Sequence, residues 1–270
     1  MRFSSKSLVG TILTLSFVLL VSLSHILHAQ QSSSNLVLYD NFDERFLSPT
    51  KWDTVGACYT SNGMELECVR EIRDEKLHLA HKNFGNRDTN VGFQFGSAAV
   101  FFVNPSQIKS ISSDLTVQDV SESNCAANPL FGPAAHIDAT FFNTGTGNSS
   151  DDIGGHIAFA PDPSGGVFVF GQISQGFNYF FNLPLGNTSM GTPLRATLTW
   201  DQPNHRFLVS WTDLLTNIKT DGIMPYSFTD STPAVQPAKV LTVNTFPANC
   251  TANPTWQYIR ASFANVYIGR

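Results

Sequence analysis

Two glutamates separated by one residue are the best candidates in this chain for a pair of catalytic acids. Glu65 and Glu67 lie in a stretch of strand-forming residues, and side chains two positions apart project from the same face of a strand. Carboxyl groups about 5 Å apart can act as acid and nucleophile in retaining glycoside hydrolysis. The adjacent Cys68 and Arg70 favour a structural interpretation instead, a disulfide-anchored, charge-paired strand at the surface. Both interpretations stay open, and we prefer the structural one.

Two other segments mix aromatic rings with amide side chains. They are Phe177, Asn178 and Tyr179, and, near the end of the chain, Trp256, Gln257 and Tyr258. Proteins that recognise sugars stack aromatic faces on pyranose rings and add hydrogen bonds from polar side chains. We therefore predict that these six residues form a ligand-binding platform. Ordinary packing of the same rings in a core strand is the alternative.

A cluster of two acids and a histidine suggests metal chemistry. Asp151 and Asp152 precede His156 by a few residues, and carboxylate and imidazole groups are common metal ligands. Asp152 and His156 would share one face of a strand, unless Gly154 and Gly155 introduce a bulge. A turn that leads into a strand would explain the two acids equally well.

Four cysteines follow the leader segment, and four allow three pairings. Cys58 and Cys68 flank a turn signal, while Cys125 and Cys250 occur in similar Asn-Cys-x-Ala-Asn-Pro contexts. We predict the disulfides Cys58–Cys68 and Cys125–Cys250. A metal site is the rival interpretation, but the sequence has no Cys-x-x-Cys pair. Disulfides indicate an oxidising compartment.

Composition and the first residues also indicate export. Residues 1–29 combine Arg2 and Lys6 with a long apolar run and a small residue at the end, which predicts a cleaved signal peptide. An uncleaved anchor is the alternative, and residues 30–35 would form a linker. The formal net charge is −5 and charged residues make up 14% of the chain. Such a chain has no electrostatic footprint for nucleic acid or for an anionic membrane.

Short runs of β-forming residues recur along the chain with turn signals between them, and helical periodicity is almost absent. The clearest hairpins are 194–200 with 206–211, and 156–160 with 167–170. The first mature run, 36–39, and the last, 261–268, are expected to pair with each other, because chain ends fray unless a sheet holds them. The pattern predicts an all-β, two-sheet antiparallel sandwich.

Three short motifs resemble the concanavalin A-like lectin/glucanase superfamily, the laminin-G-like jelly rolls. They are Asp40-Asn41-Phe42-Asp43 with Trp52 downstream, the hairpin Thr199-Trp200-Asp201 to Arg206-Phe207, and the closing Phe263-Ala264-Asn265-Val266-Tyr267-Ile268. The resemblance implies a jelly-roll β-sandwich over residues 36–270. One fold of this kind hosts lectins, hydrolases and adhesive modules.

The resemblance leaves three functions open. We favour non-catalytic binding of an extracellular glycan by a secreted or cell-surface lectin-like protein. A divergent laminarinase-like glycoside hydrolase would use Glu65 and Glu67, although the central Asp of that enzyme motif is absent here. The third alternative is a structural surface module without a small ligand.

The resemblance also bears on metals and cofactors. No organic cofactor is expected. A structural calcium ion held by Asp40 and Asp43 is one alternative, but Ala264 stands where the closing strand of the family carries an acid.

Overall fold

A computed structural model describes residues 35–53, 58–61, 65–87, 92–123, 125, 132–176, 178–251 and 255–270, without the side chains of residues 65 and 66. The predicted signal peptide, residues 1–29, lies outside the described residues, as do residues 30–34 of the predicted linker.

Almost all of the described chain is extended, as the recurrent short β-forming runs predict. The strands are β1 (Val37–Asp40), β2 (Trp52–Asp53), β3 (Cys58–Thr60), β4 (Glu65–Arg73), β5 (Lys76–Phe84), β6 (Gly96–Phe102), β7 (Ser110–Ser123), β8 (Ala134–Asn143), β9 (Asp152–Pro161), β10 (Gly166–Gln175), β11 (Asn178–Ser189), β12 (Leu194–Asp201), β13 (Arg206–Asp213), β14 (Lys219–Pro225), β15 (Thr232–Pro233), β16 (Lys239–Thr245) and β17 (Trp256–Gly269). Single 3₁₀ turns occur at Pro105–Gln107, Ser149–Asp151 and Gln202–Asn204.

These strands form two antiparallel sheets. The first sheet has the order β14-β13-β12-β7-β17-β5-β4, and β1 pairs with β17. The second has the order β11-β10-β9-β8-β16-β6-β2, with β15 on β8 and β3 on β6. The two sheets pack as a sandwich of the jelly-roll type, which confirms the predicted fold class.

The two ends of the sandwich-forming chain lie side by side. Val37 is opposite Ile268, and Leu38 is opposite Tyr267. The predicted pairing of the first and last runs is therefore confirmed. It ties both ends into the first sheet, where β17 runs between β7 and β5.

The hairpin of β12 and β13 shows how alternation produces a face. Leu194, Ala196 and Leu198 are buried, while the residues between them are partly exposed. The turn places His205 at φ 48°, in the left-handed region, and its amide donates to the carbonyl of Gln202. Both hairpins predicted from the sequence are present.

The core lies between the sheets and is rich in aromatic and branched aliphatic side chains. Each strand contributes alternate residues to it. The sheets approach closely at Gly155, where a Cβ atom would lie 2.9 Å from Phe207 Cδ1. A glycine is needed there for space, because any side chain would collide with the opposite sheet.

Both predicted disulfides are present, and each connects the two sheets. Cys58 in β3 of the second sheet bonds to Cys68 in β4 of the first. Cys125, which follows β7 of the first sheet, bonds to Cys250, which follows β16 of the second. Two disulfides fit an extracellular protein.

No helix in the described part of the chain has the length and hydrophobicity needed to cross a bilayer.

Candidate functional site

The outer face of the second sheet carries an unusual set of polar side chains, and we call it the polar face. In β8 the core takes Ala135, Ile137 and Ala139, so alternation turns His136 and Asp138 to the outside. The same alternation in β9 and β10 directs His156 and Ser174 outward from strands whose inner residues are apolar. Strands that bury their apolar half therefore present their polar residues on one surface.

The strand register aligns four of these side chains across the sheet. Asn182 of β11 is opposite Gln172 of β10, which is opposite His156 of β9, which is opposite Asp138 of β8. Residues directly opposite in antiparallel strands share a face and lie close enough to interact. We call these four residues the polar row. Gln172 Nε2 donates to Asn182 Oδ1 over 2.6 Å.

His156 joins the polar row to Ser174. Its Nδ1 lies 2.9 Å from Asp138 Oδ1, and its Nε2 lies 2.6 Å from Ser174 Oγ. Both separations are hydrogen-bond distances. A hydroxyl, an imidazole and a carboxylate thus form one continuous hydrogen-bonded chain across β10, β9 and β8.

A second imidazole lies beside the same carboxylate. His136 Nδ1 is 3.3 Å from Asp138 Oδ1, but without hydrogen-bond geometry. Among the described residues, neither ring nitrogen of His136 has a hydrogen-bond partner, although the residue is only 4% exposed. Burial alone would raise the pKa of Asp138, but His136 and His156 outweigh it and hold the pKa well below its usual range. Asp138 is therefore ionised at neutral pH.

Tyr179, a residue of the predicted platform, borders this cluster. It is directly opposite Ser174 in the register of β10 and β11, and its ring meets that of His156 edge-on at a centroid distance of 5.3 Å. Desolvation of the phenol and the negative charge of Asp138 raise its pKa. The phenol stays protonated and can donate a hydrogen bond, while the ring remains 39% exposed.

Further rings and a glycine complete the surface. Phe168 and Phe170 of β10 stack at 5.5 Å, and both share the outward parity of Gln172. A Cβ atom added at Gly154 would lie 3.1 Å from both His156 Nε2 and Ser174 Oγ. These contacts are tighter than ordinary ones, so a side chain at this position would displace the imidazole or the hydroxyl.

The remaining predicted platform residues lie elsewhere. Trp256 and Tyr258 belong to β17, in the first sheet, and the structure does not bring them together with Tyr179 of β11 in the second. Gln257 points between the sheets and is 1% exposed; its Oε1 accepts from the amide of Phe246. Asn178 is exposed at the start of β11. Phe177 lies outside the described residues.

We call the outer surface of the first sheet around Trp256 the aromatic face. Lys82 Nζ lies 5.3 Å from the ring centroid of Trp256 and 5.8 Å from that of Phe84. Tyr258 is the neighbour of Lys82 across β17 and β5. The ammonium group therefore occupies the ring faces that a sugar would stack on.

The predicted acid pair lies at the edge of the first sheet. Glu67 in β4 is exposed and opposite Lys82. The side chain of Glu65 is outside the described residues. The glycosidase interpretation of this pair stays a prediction.

The acids considered as metal ligands already accept hydrogen bonds. Asp40 accepts from the amide of Phe42 and from Trp52 Nε1, and it pairs with Lys51. Asp43 is exposed. Within the described ranges, no three His, Cys, Asp or Glu side chains are grouped so that they could hold a metal ion. Calcium binding by Asp40 and Asp43 remains an untested prediction.

The acids before β9 are likewise engaged. Asp152 accepts from Asn143 Nδ2 and from the amides of residues 235 and 236. Asp151 accepts from Thr146 Oγ1 and Gln175 Nε2. Of this predicted metal cluster, only His156 takes part in the hydrogen-bonded chain with Asp138 and Ser174.

The sequence did not identify Asp138, His136 or Ser174 as functional residues. The available signal was weak: polar side chains at alternate positions in β8, β9 and β10, whose other residues are apolar and buried. That signal shows to which face of its strand each side chain points. The proximity of the side chains from different strands depends on how the three strands are aligned.

No protein-family model matches this chain, and no curated protein matches its sequence. Similar solved structures include scytalido-glutamic peptidase, at 11% identity, TM-score 0.36, 56% coverage of this chain and 64% of that one. Lectin II from Ulex europaeus is 12% identical, with TM-score 0.38 and coverages of 77% and 98%. A prokaryotic β-1,3-1,4-glucanase (lichenase) from a mouse hindgut metagenome is 11% identical, with TM-score 0.38 and coverages of 85% and 98%. Because these identities are low, function has to be argued from this chain's own residues.

Proposed function

We propose that this protein is a secreted carbohydrate-binding protein and that the polar face is its binding surface. The observation that carries the proposal is the polar row, four side chains aligned across β11, β10, β9 and β8 with aromatic rings on both sides. Asn182 and Gln172 supply amide donors and acceptors, and Asp138 supplies an ionised acceptor. Sugar hydroxyls both donate and accept hydrogen bonds, so they match this mixture.

The rings bordering the row supply the apolar part of such a site. Tyr179 is 39% exposed, and Phe168 and Phe170 are partly exposed on the same surface. Aromatic faces stack on the C–H faces of pyranose rings, while amides fix the orientation of the ligand.

Glycan retention by single variants tests the proposal. The mature protein, with both disulfides intact, would be applied to an array of neutral oligosaccharides next to Tyr179→Ala and Gln172→Ala. We expect the unmodified protein to retain at least one glycan, and each variant to lose at least tenfold in affinity, because each removes a ring or an amide from the polar face.

Trp256→Ala is the matched control, since it removes an aromatic residue from the aromatic face of the other sheet. It should change retention by less than twofold. The proposal is wrong if no glycan is retained, in which case a structural module becomes the better interpretation. It is also wrong if Trp256→Ala abolishes retention and Tyr179→Ala does not.

A further inference from the structure

Ser174, His156 and Asp138 have the contacts of a nucleophile, a general base and an orienting acid. The hydroxyl lies 2.6 Å from Nε2 of the imidazole, and the carboxylate lies 2.9 Å from Nδ1. A serine is a weak nucleophile unless an adjacent base takes its proton, and the base must itself be held in one tautomer. The geometry meets both requirements.

The proton positions follow from the surrounding charges. Asp138 is ionised because neighbouring imidazoles hold its pKa well below the usual range, so it can only accept a hydrogen bond. A neutral imidazole at His156 would then donate from Nδ1 to Asp138 and use the lone pair of Nε2 to accept from the hydroxyl of Ser174. Two further titratable side chains lie near His156: His136, beside the same carboxylate, and Tyr179, whose ring meets the imidazole.

The backbone at Gly154 lies close to the hydroxyl and the imidazole. A Cβ atom at Gly154 would lie 3.1 Å from Ser174 Oγ and from His156 Nε2, which is tighter than an ordinary contact, so glycine is what leaves their 2.6 Å contact undisturbed. Tyr179, opposite Ser174, keeps its proton and can donate to an oxygen that becomes negative during the reaction.

We infer that Ser174, His156 and Asp138 form an esterase site that removes an acyl group ester-linked to a glycan bound on the polar face. The glycan part of this inference rests on the proposed function, whereas the ester chemistry rests on the three side chains. An ester on a sugar is the matching substrate class, because its leaving group is a sugar hydroxyl that Gln172 and Asn182 can bind.

The reaction proceeds in two balanced steps. Ser174 Oγ attacks the ester carbonyl while its proton moves to His156 Nε2, and the sugar alkoxide then leaves with that proton, giving an acyl-serine. Water attacks the acyl-serine with His156 as base, and the free carboxylic acid departs as Oγ regains its proton. Asp138 stays ionised and stabilises the imidazolium in both steps.

The test combines hydrolysis of p-nitrophenyl acetate with covalent labelling by a fluorophosphonate, followed by peptide mass spectrometry. We expect hydrolysis above background and an adduct on Ser174. Ser174→Ala should remove the adduct and lower the rate at least 100-fold, and Asp138→Asn should lower it at least tenfold. Urea unfolding of each variant shows whether the fold is retained.

Ser113→Ala is the matched control, because Ser113 is a buried serine of the first sheet that donates to the carbonyl of Ala264. It should keep the full rate. Gly154→Ala should block labelling, because the added methyl group would displace Ser174 or His156, whereas Gly132→Ala, where a Cβ atom meets only ordinary contacts of 3.5 Å, should not.

The outcomes separate this inference from the proposed function. If the unmodified protein binds a glycan but gives no adduct on Ser174 and hydrolyses the ester no faster than Ser174→Ala, the esterase inference is wrong and glycan binding stands. If the adduct forms and no glycan is retained, the chemistry stands and the glycan assignment is wrong.

Discussion

The outer faces of the two sheets carry similar kinds of side chain but differ in what those side chains contact. On the aromatic face, Lys82 lies over the rings of Trp256 and Phe84. On the polar face, the ring of Tyr179 meets His156 at its edge, and its exposed side remains free for a ligand. Aromatic composition alone therefore does not define a binding platform, because the neighbours of each ring decide whether its face is free.

The charged groups differ in the same way. Asp138 on the polar face is enclosed by two imidazoles, which hold its pKa well below its usual range. Asp119 on the aromatic face is exposed and lies opposite Arg260, also exposed. Enclosure makes the electrostatics of the polar face stronger, since solvent screens exposed pairs.

The largest effect is expected at a histidine that lacks a carboxylate. His81 lies on the inner side of β5, and its Nδ1 is hydrogen-bonded to Thr245 Oγ1. Burial lowers the pKa of His81 to about 4. In the unfolded chain the imidazole of His81 becomes protonated near pH 6.5, whereas in the folded chain it stays neutral down to about pH 4. The free energy of unfolding should therefore fall by about 3 kcal/mol as the pH drops from 6.5 to 4, with no further loss from this group below pH 4.

Urea unfolding of the unmodified protein and of His81→Gln between pH 4 and 7 measures how much His81 contributes to the pH dependence of stability. The variant keeps a polar group near Thr245 and cannot titrate, so its pH dependence in this window should be flatter. Equal slopes for the two proteins would contradict the argument.

A pair of aspartates, one on each face, tests whether the polar face and the aromatic face differ in electrostatics. Asp138→Ala removes the carboxylate that accepts from His156 and should cost about 2 kcal/mol, the scale of a hydrogen bond to a charged group. Asp119→Ala removes an exposed acid and should change stability by less than about 0.5 kcal/mol. Denaturant midpoints at pH 7 measure both, and equal losses would show that the two faces do not differ electrostatically.

The architecture could be predicted because its signals are local. Alternation within β12 and β13 and the turn between them specify a hairpin without reference to the rest of the chain. Cysteines flanking a turn and cysteines in similar contexts gave both disulfides. The pairing of β1 with β17 followed from the need to hold two chain ends.

Strand β11 was not predicted, although Asn178 and Tyr179 of the predicted platform lie at its start. It contains Pro184, Gly186 and several asparagines, which are depleted in strands generally. An edge strand tolerates them, because only one side of it pairs, and β11 pairs with β10 alone. Edge position is a property of the sheet order and cannot be seen in the segment itself.

The site could not be predicted for a related reason. Asp138 and Ser174 each lie 18 residues from His156, and nothing local links them. Their proximity depends on register, and the pairings of β8 with β9 and of β10 with β11 are both shifted by bulges. A shift of one residue would turn a side chain to the opposite face.

The smallest expected effect concerns the cation that covers the rings of the aromatic face. Lys82→Met removes the ammonium group from Trp256 and Phe84 but keeps an unbranched chain of similar length. Loss of the cation–π contacts should cost about 0.5 to 1 kcal/mol of stability, measured by urea unfolding. Retention on the oligosaccharide array should not change, because the aromatic face would then have free rings but no row of aligned polar side chains. A different result would be that Lys82→Met gains affinity for a glycan and that the double variant with Trp256→Ala loses it again. Uncovered rings alone would then be sufficient for binding, and the polar face would no longer be the better candidate site.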